Sequence, residues 1–331
     1  MQSLCASSTQ DLSSRRVCID MTEIYQTFPF PTAPVRQAVA LGFFDGVHRG
    51  HQALLGELRK LSQARGLRPA VFSFASHPHR PEAAASFPGQ IQTLAQRTAS
   101  LSNFAEALYL APTSPEVMDL SPEDFVRQVL SERLRASVLV CGHDFRFGRR
   151  AQGNLDLLEQ LAAQLNFELL ALSDLVIDGD IVSSTRIRKF IQAGEMEAAC
   201  KLLGRPFAYA GRVMPGRQLG RKLGFPTVNL EIEPAQILAR PGVYASRVKW
   251  QGQVLLAVSN LGYNPTVATN GCAKLETFIY DFDEEIYGQE IEVELLSFSR
   301  PEAKLKSLAE LQDIVARDLL TIRQWHLKRG Q

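Results

Sequence analysis

Between Val39 and Leu203, short apolar runs alternate with helical patterns; beyond Gly204-Arg205-Pro206 the alternation stops. This change of texture constrains the fold more than any other feature. Val39 to Phe43 reads as a strand, and the helix after it carries Leu54, Leu55, Leu58 and Leu61 on one face. Arg68 to Phe74 is the next strand. Ser121-Pro122-Glu123-Asp124 starts a helix, with a capping Ser, Pro in the first turn and acids at the positive end. Phe125, Val129 and Leu130 continue it, and Ser137 to Val140 and Phe167 to Leu172 are further strands. Strands that alternate with helices build a doubly wound parallel sheet covered on both faces. Two helices, from about Ser184 to Ala193 and Met196 to Leu203, end this half.

After the Gly-Arg-Pro break, Phe207 to Met214, Val243 to Trp250, Val254 to Leu261, Leu275 to Tyr280 and Ile291 to Ser297 read as strands between Gly, Pro and Asn turns. A last helix sets Leu305, Leu308, Leu311 and Val315 on one face. The expected fold class is α/β plus all-β. The domains are residues 35–203 and 204–331, each with its own core and each expected to carry its own reaction when expressed alone, with some loss of activity if the two bury surface against each other. Residues 1–34 are polar and turn-prone and are expected to be an extension disordered in part, with Met21 an alternative start.

Charge narrows the partners. The 36 basic and 35 acidic side chains leave a net charge of +1, without the basic excess of nucleic-acid or membrane-surface proteins. No run reaches the roughly 18 apolar residues of a membrane helix. Cys5, Cys18, Cys141, Cys200 and Cys272 form no C-x-x-C pair, which fits a reducing cytoplasm.

The most informative string is G-F-F-D-G-V-H-R-G-H, Gly42 to His51, between the first strand and the first helix. A doubly wound sheet binds ligands at the carboxyl ends of its strands, and a helix N-terminus there favours phosphate. His48 and His51 can donate hydrogen bonds to the oxygens of an α-phosphate under attack. Either histidine alone would pass for a loop residue. Together with C-G-H-D-F-R-F-G, Cys141 to Gly148, and V-S-S-T-R-I-R, Val182 to Arg188, the string resembles the FMN adenylyltransferase domain of bacterial bifunctional riboflavin kinase/FAD synthetases. The resemblance implies a nucleotidyltransferase fold and catalysis by His48 and His51. It implies nucleotide or phosphate contacts from Gly42, Phe44, Ser183, Ser184, Thr185 and Arg188, and a pocket shaped by Asp144 and Phe147. His77-Pro78 also matches, without an assigned task.

In the second half Gly211 and Gly216 are spaced as in a P-loop, but Arg217-Gln218 stands where Lys and Ser/Thr are required. Thr227 and Asn229 are two apart in an extended stretch and share a face, where a hydroxyl and an amide oxygen can ligate Mg²⁺. G-R-K-L-G-F-P-T-V-N-L, from Gly220, resembles the riboflavin kinase signature, with Val228 in place of the usual Ala. P-G-V-Y-A, N-L-G-Y-N-P-T-V and L-E-T-F-I-Y-D-F follow in order. This resemblance implies a small antiparallel β-barrel with the terminal helix against it and Glu276 as general base. It also implies nucleotide contacts from Gly220, Thr227 and Asn229, the last two holding Mg²⁺.

The combined expectation is phosphorylation of riboflavin to FMN by ATP, then adenylyl transfer from ATP to FMN, giving FAD and pyrophosphate. Riboflavin, FMN and ATP are the expected partners, with no nucleic acid and no membrane, and an oligomer left open. An H-x-G-H transferase with a phosphopantetheine, nicotinamide or phosphocholine acceptor would not carry the second half. A flavin-binding regulator would not need His48, His51, Asn229 and Glu276 together.

Overall fold

The computed structural model describes residues 16–19, 22–78, 87–216, 224–263, 273–303 and 307–330. They fall into two compact units. One takes the described residues of Met1–Phe44, His51–Arg80 and Thr98–Asp174, the other those of Asp45–Gly50, Pro81–Arg97 and Leu175–Gln331. The turn bearing His48 thus goes with the second unit.

The first unit is built on β1 (Arg16–Ile19), β2 (Thr22–Tyr25), β3 (Gln37–Leu41), β4 (Arg68–Phe74), β5 (Ala107–Ala111), β6 (Ala136–Gly142) and β7 (Glu168–Leu172). Their order across the sheet is β1-β2-β5-β4-β3-β6-β7. All neighbours from β2 to β7 run parallel, and β1 is antiparallel to β2. Gln-Ala-Val-Ala-Leu in β3 and Ala-Leu-Tyr-Leu-Ala in β5 are buried throughout, as strands covered on both faces must be. The chain leaves β3 toward β4 and β5, then returns to place β6 on the other side of β3. The carboxyl ends of β3 and β6 therefore flank the switch point. Gly42-Phe43-Phe44 and Gly142-His143-Asp144 are the residues found there.

Two features add to the sequence reading. Part of residues 1–34 belongs to the first unit. β2 pairs with β5, Thr22 Oγ1 donates to Ala105 O at 3.0 Å, and fully buried Phe30 meets the Tyr109 ring at 5.2 Å. The helix capped by Ser121, which accepts from Asp124 N at 3.0 Å, continues as a π-helix over Phe125–Arg133 that buries Phe125, Val126, Val129 and Leu130.

The second unit holds a hairpin of β8 (Val176–Ile177) and β9 (Asp180–Ile181), then helices Ser184–Ala193 and Met196–Leu203. Its barrel comprises β10 (Phe207–Met214), β11 (Thr227–Glu231), β12 (Gly242–Trp250), β13 (Gln253–Tyr263), β14 (Ala273–Ile279) and β15 (Glu290–Arg300). It closes in the order β10-β11-β14-β13-β12-β15, each neighbour antiparallel, which leaves no free sheet edge. Leu230, Leu275 and Leu261 face each other across three strands of its interior. Ile187, Ile191, Met196, Ala199, Leu202 and Leu203 join the same core from the two helices.

The terminal helix Leu308–Lys328 is capped by Ser307. Ile322 and His326, 2% and 0% exposed, anchor it, and His326 Nε2 lies 3.3 Å from Ala257 O. The face expected to pack divides differently: Leu311 and Val315 line a cavity, and Leu305 lies outside the described residues.

Candidate functional site

The turn after β3 is compressed. Phe44 takes φ 56°, Gly46 φ 78° and Val47 φ 37°, a concentration of unfavourable backbone typical of functional loops. A Cβ on Gly42 would sit 2.9 Å from the Phe44 ring, so the glycine lets that ring fold back. The Phe44 ring then meets the His51 ring edge-on at 5.2 Å. In the second unit, a Cβ on Gly50 would lie 3.2 Å from His48 Cε1. The glycine of H-R-G-H thus leaves room for the first imidazole. His48 is 5% exposed, and burial holds it down to about 4, with Arg205 and Arg188 pushing the same way. At neutral pH it is an uncharged imidazole that can donate one N–H.

Asp45 ties the turn down. Its carboxylate accepts from Ile91 N at 2.9 Å, from Gln92 N at 3.3 Å and from an Arg188 terminal nitrogen at 2.5 Å. Burial pushes this carboxyl up while Arg188 and the two backbone N–H groups hold it down. Donors face both oxygens, and the ionised form is the one that fits. Ser184 Oγ donates to Asp45 O at 2.9 Å, and Arg205 donates to Gly46 O at 2.8 Å.

Ser183 caps the helix, accepting from Arg186 N at 3.3 Å, and Thr185 beside it is exposed at the helix start. Arg188 Nε donates to Gly89 O at 2.9 Å, and its guanidinium stands over the Phe87 ring. The side chain expected to meet phosphate is therefore first engaged inside the protein. Phe147 is 5% exposed and packs against Phe125, Phe145 and Gly153. Asp144 is exposed after β6. His77 meets the Phe43 ring at 4.4 Å.

On the barrel, register places Asn229 opposite Glu276 and Glu276 opposite Asn260; Thr227, Phe278 and Val258 form the next row. Leu230, Leu275 and Leu261 point inward, so both rows stand on the outer face. A Cβ on Gly216 would lie 2.2 Å from Asn229 Nδ2, so any larger residue there would displace that amide. A cavity of about 250 Å³ is lined by Gly216, Thr227, Asn229, Phe282 and Asp283. A second, of about 190 Å³, is lined by Thr227, Asn260, Glu276, Phe278, Leu311 and Val315. Thr227 borders both. Under these strands runs a buried hydroxyl ladder, Ser246 Oγ to Ser259 Oγ at 2.7 Å and on to Thr277 Oγ1 at 2.8 Å. Gly220 lies outside the described residues, as does the stretch from Asn264 to Val267.

Comparison with known proteins now decides the family. The family described as FAD synthetase matches residues 31–186, and the riboflavin kinase family matches residues 203–326. Bifunctional riboflavin kinase/FMN adenylyltransferases of Listeria monocytogenes and Escherichia coli K12 are 32% and 34% identical, covering 88% and 87% of this chain and 94% and 92% of theirs. The chain belongs to the bifunctional riboflavin kinase/FMN adenylyltransferase family. A solved structure described as a macrolide-efflux protein from Streptococcus pneumoniae is 29% identical, with TM-score 0.80, over 91% of this chain and 99% of that one. Among the described residues of this bifunctional enzyme, no helix is long and apolar enough to cross a membrane.

Around the turn and the barrel rows of this riboflavin kinase and FMN adenylyltransferase stand residues to which the sequence assigns no role. Asp45 stands inside the Gly42–His51 string, three residues before His48, and nothing in that string marks it as half of a latch with Arg188. Asn260 was quoted in its block without a role. In the sequence Arg205 reads only as part of a break.

Proposed function

We propose that adenylyl transfer is carried out at His48 and His51 within residues 35–203, and riboflavin phosphorylation at Thr227, Asn229 and Glu276 within residues 204–331. The observation that carries the kinase assignment is that Thr227 borders two cavities, one reached by Asn229 and the other by Glu276. ATP takes the first. Riboflavin takes the second, its ring against Phe278, Leu311 and Val315 and its 5′-hydroxyl toward Glu276. That hydroxyl oxygen forms the new bond to the γ-phosphorus as the bond to the ADP oxygen breaks, and Glu276 accepts the proton.

Mg²⁺ fits this arrangement. The Thr227 hydroxyl and Asn229 amide are hard oxygen donors beside a cavity, and Mg²⁺ commonly takes its other ligands from water and phosphates. Among the described residues no group of three or more His, Cys, Asp or Glu could hold a metal, so the nucleotide would supply much of the shell. When bound, the ion would neutralise charge on the transferring phosphates.

In the first reaction site, an FMN phosphate oxygen attacks the α-phosphorus of ATP and pyrophosphate leaves. His48 and His51 donate hydrogen bonds to the α-phosphate oxygens as charge builds there. Gly42 and Phe44 shape the turn, Thr185 and the N–H groups of its helix face phosphate, and Asp144 holds part of the nucleotide or flavin. Arg188 serves the phosphates chiefly through the turn it holds. Small anionic substrates and a net charge of +1 agree with a cytoplasmic enzyme without nucleic-acid or membrane partners.

The test is reciprocal. His48→Ala should lower FMN adenylylation by about 10²–10³-fold and leave riboflavin phosphorylation intact. Glu276→Gln should lower phosphorylation by roughly 10²–10⁴-fold and leave FAD formation from supplied FMN intact. Separate assays for FMN and FAD read both. Equal loss of the two activities in either variant would refute the division.

A further inference from the structure

The turn that carries His48 is held by a segment which is itself held by the barrel. Ile91 and Gln92 donate their backbone N–H groups to Asp45. A Cβ on Gly46 would lie 3.1 Å from the Ile91 side chain, so the same residue also packs under the turn. One step further out, Gln90 pairs with Gln236 of the loop between β11 and β12. Gln90 N donates to Ala235 O at 2.7 Å, and Ile237 N donates to Gln90 O at 2.8 Å. The Gln236 side chain completes the stitch: its Nε2 donates to Ile91 O at 3.2 Å and to Ala208 O of β10 at 3.0 Å. Gln236 is 4% exposed and Ile237 is fully buried. Gly89 permits the approach, since at φ 103° a Cβ there would lie 2.7 Å from Ile237 N.

We infer that Gln236, a residue of the kinase barrel that is absent from both rows and both cavities, is a positioning residue for adenylyl transfer. It fixes Ile91; Ile91 and Gln92 fix Asp45; Asp45 fixes the turn whose imidazole must meet the α-phosphate. The chain of contacts consists of buried hydrogen bonds between backbone and charged or amide groups, which hold geometry tightly when fully formed. Reacting groups tolerate little displacement, and a shift of about 1 Å can cost on the order of 10²-fold in rate. The inference rests on the assignment of adenylyl transfer to His48 and His51.

The experiment uses the full-length chain with Gln236→Met, which keeps the length of the side chain and removes its donor, and with Gly89→Ala, which presses on Ile237. Both should lower kcat for FMN adenylylation, by about tenfold for Gln236→Met and toward 10²-fold for Gly89→Ala. KM for ATP and FMN should change little, because the contacts act on the turn and not on the substrates. Riboflavin phosphorylation, the reaction of the domain that contains Gln236, should keep its turnover. That retained turnover separates positioning from unfolding. His48→Ala is run alongside. If it abolishes adenylylation while both other variants keep the wild-type kcat, or if they raise KM alone, the bracing role is wrong. If His48→Ala itself remains active, the fault lies with the site assignment.

Discussion

A methyl group at position 50 would meet His48 Cε1 at 3.2 Å, and no flexible side chain stands between them to give way. The ring itself must turn or shift. Gly50→Ala is therefore expected to reduce FMN adenylylation by at least about tenfold, in line with the sensitivity of positioned groups to small displacements. The alanine should stabilise the first turn of helix Arg49–Arg65 by up to about 1 kcal/mol through its helix propensity. Activity would then fall while the melting temperature holds or rises, and steady-state kinetics with a thermal melt checks both. A melting temperature that fell with activity would show that the residue serves packing instead. Asp45 and Arg188 raise the opposite case. Both are buried, so removing either leaves a charge without its partner, at a typical cost of about 3–5 kcal/mol.

At the scale of elements, β11 joins the two kinds of information. Val228 faces Thr277 across the register, while Thr227 and Asn229 share the other face with Phe278 and Glu276. Half-buried Val228 also lines the first cavity, so Val228→Ala should cost up to about 1–2 kcal/mol in stability and raise the KM for ATP; denaturant melts and kinase kinetics test the two halves. An unchanged KM would show that Val228 serves packing alone. This strand was legible because alternation in an extended stretch needs only local sequence. So were β4, β10 and the helices Ser184–Ala193 and Met196–Leu203, which lie where their patterns place them. β2 was not, since Thr-Glu-Ile-Tyr carries one core residue, Ile24, and its pairing with β5 is remote in sequence. β5 was missed for a different reason. A five-residue apolar run has no periodicity to tell strand from helix. The histidines and Glu276 were legible as motifs, whereas the Asp45–Arg188 latch spans 143 residues and has no local signature.

For the whole molecule, the division at residue 204 can be tested on fragments. Residues 35–203 lack Ala235, Gln236 and Ile237, and residues 204–331 lack Met196, Leu202 and Leu203 of the shared core. A 204–331 fragment should still phosphorylate riboflavin, since Thr227, Asn229 and Glu276 are all within it. It should melt lower than a fragment that begins at Leu175. A folded 35–203 fragment should form FAD at least about tenfold more slowly than the full chain. Circular dichroism and product assays on the three fragments decide this. Full-rate FAD synthesis by 35–203 would contradict the prediction.

The stitch between Gln236 and Ile91 also sets a schedule. A ribosome reaches Gln236 only 145 residues after Ile91, roughly 7–30 s later at common rates of elongation. Through that interval the nascent turn has its histidines but not its brace. A growing chain consequently acquires its fully positioned adenylyl-transfer loop only after the first strand of the kinase barrel and the following β11 have been translated, and a transcript truncated before that point would yield neither activity at full strength.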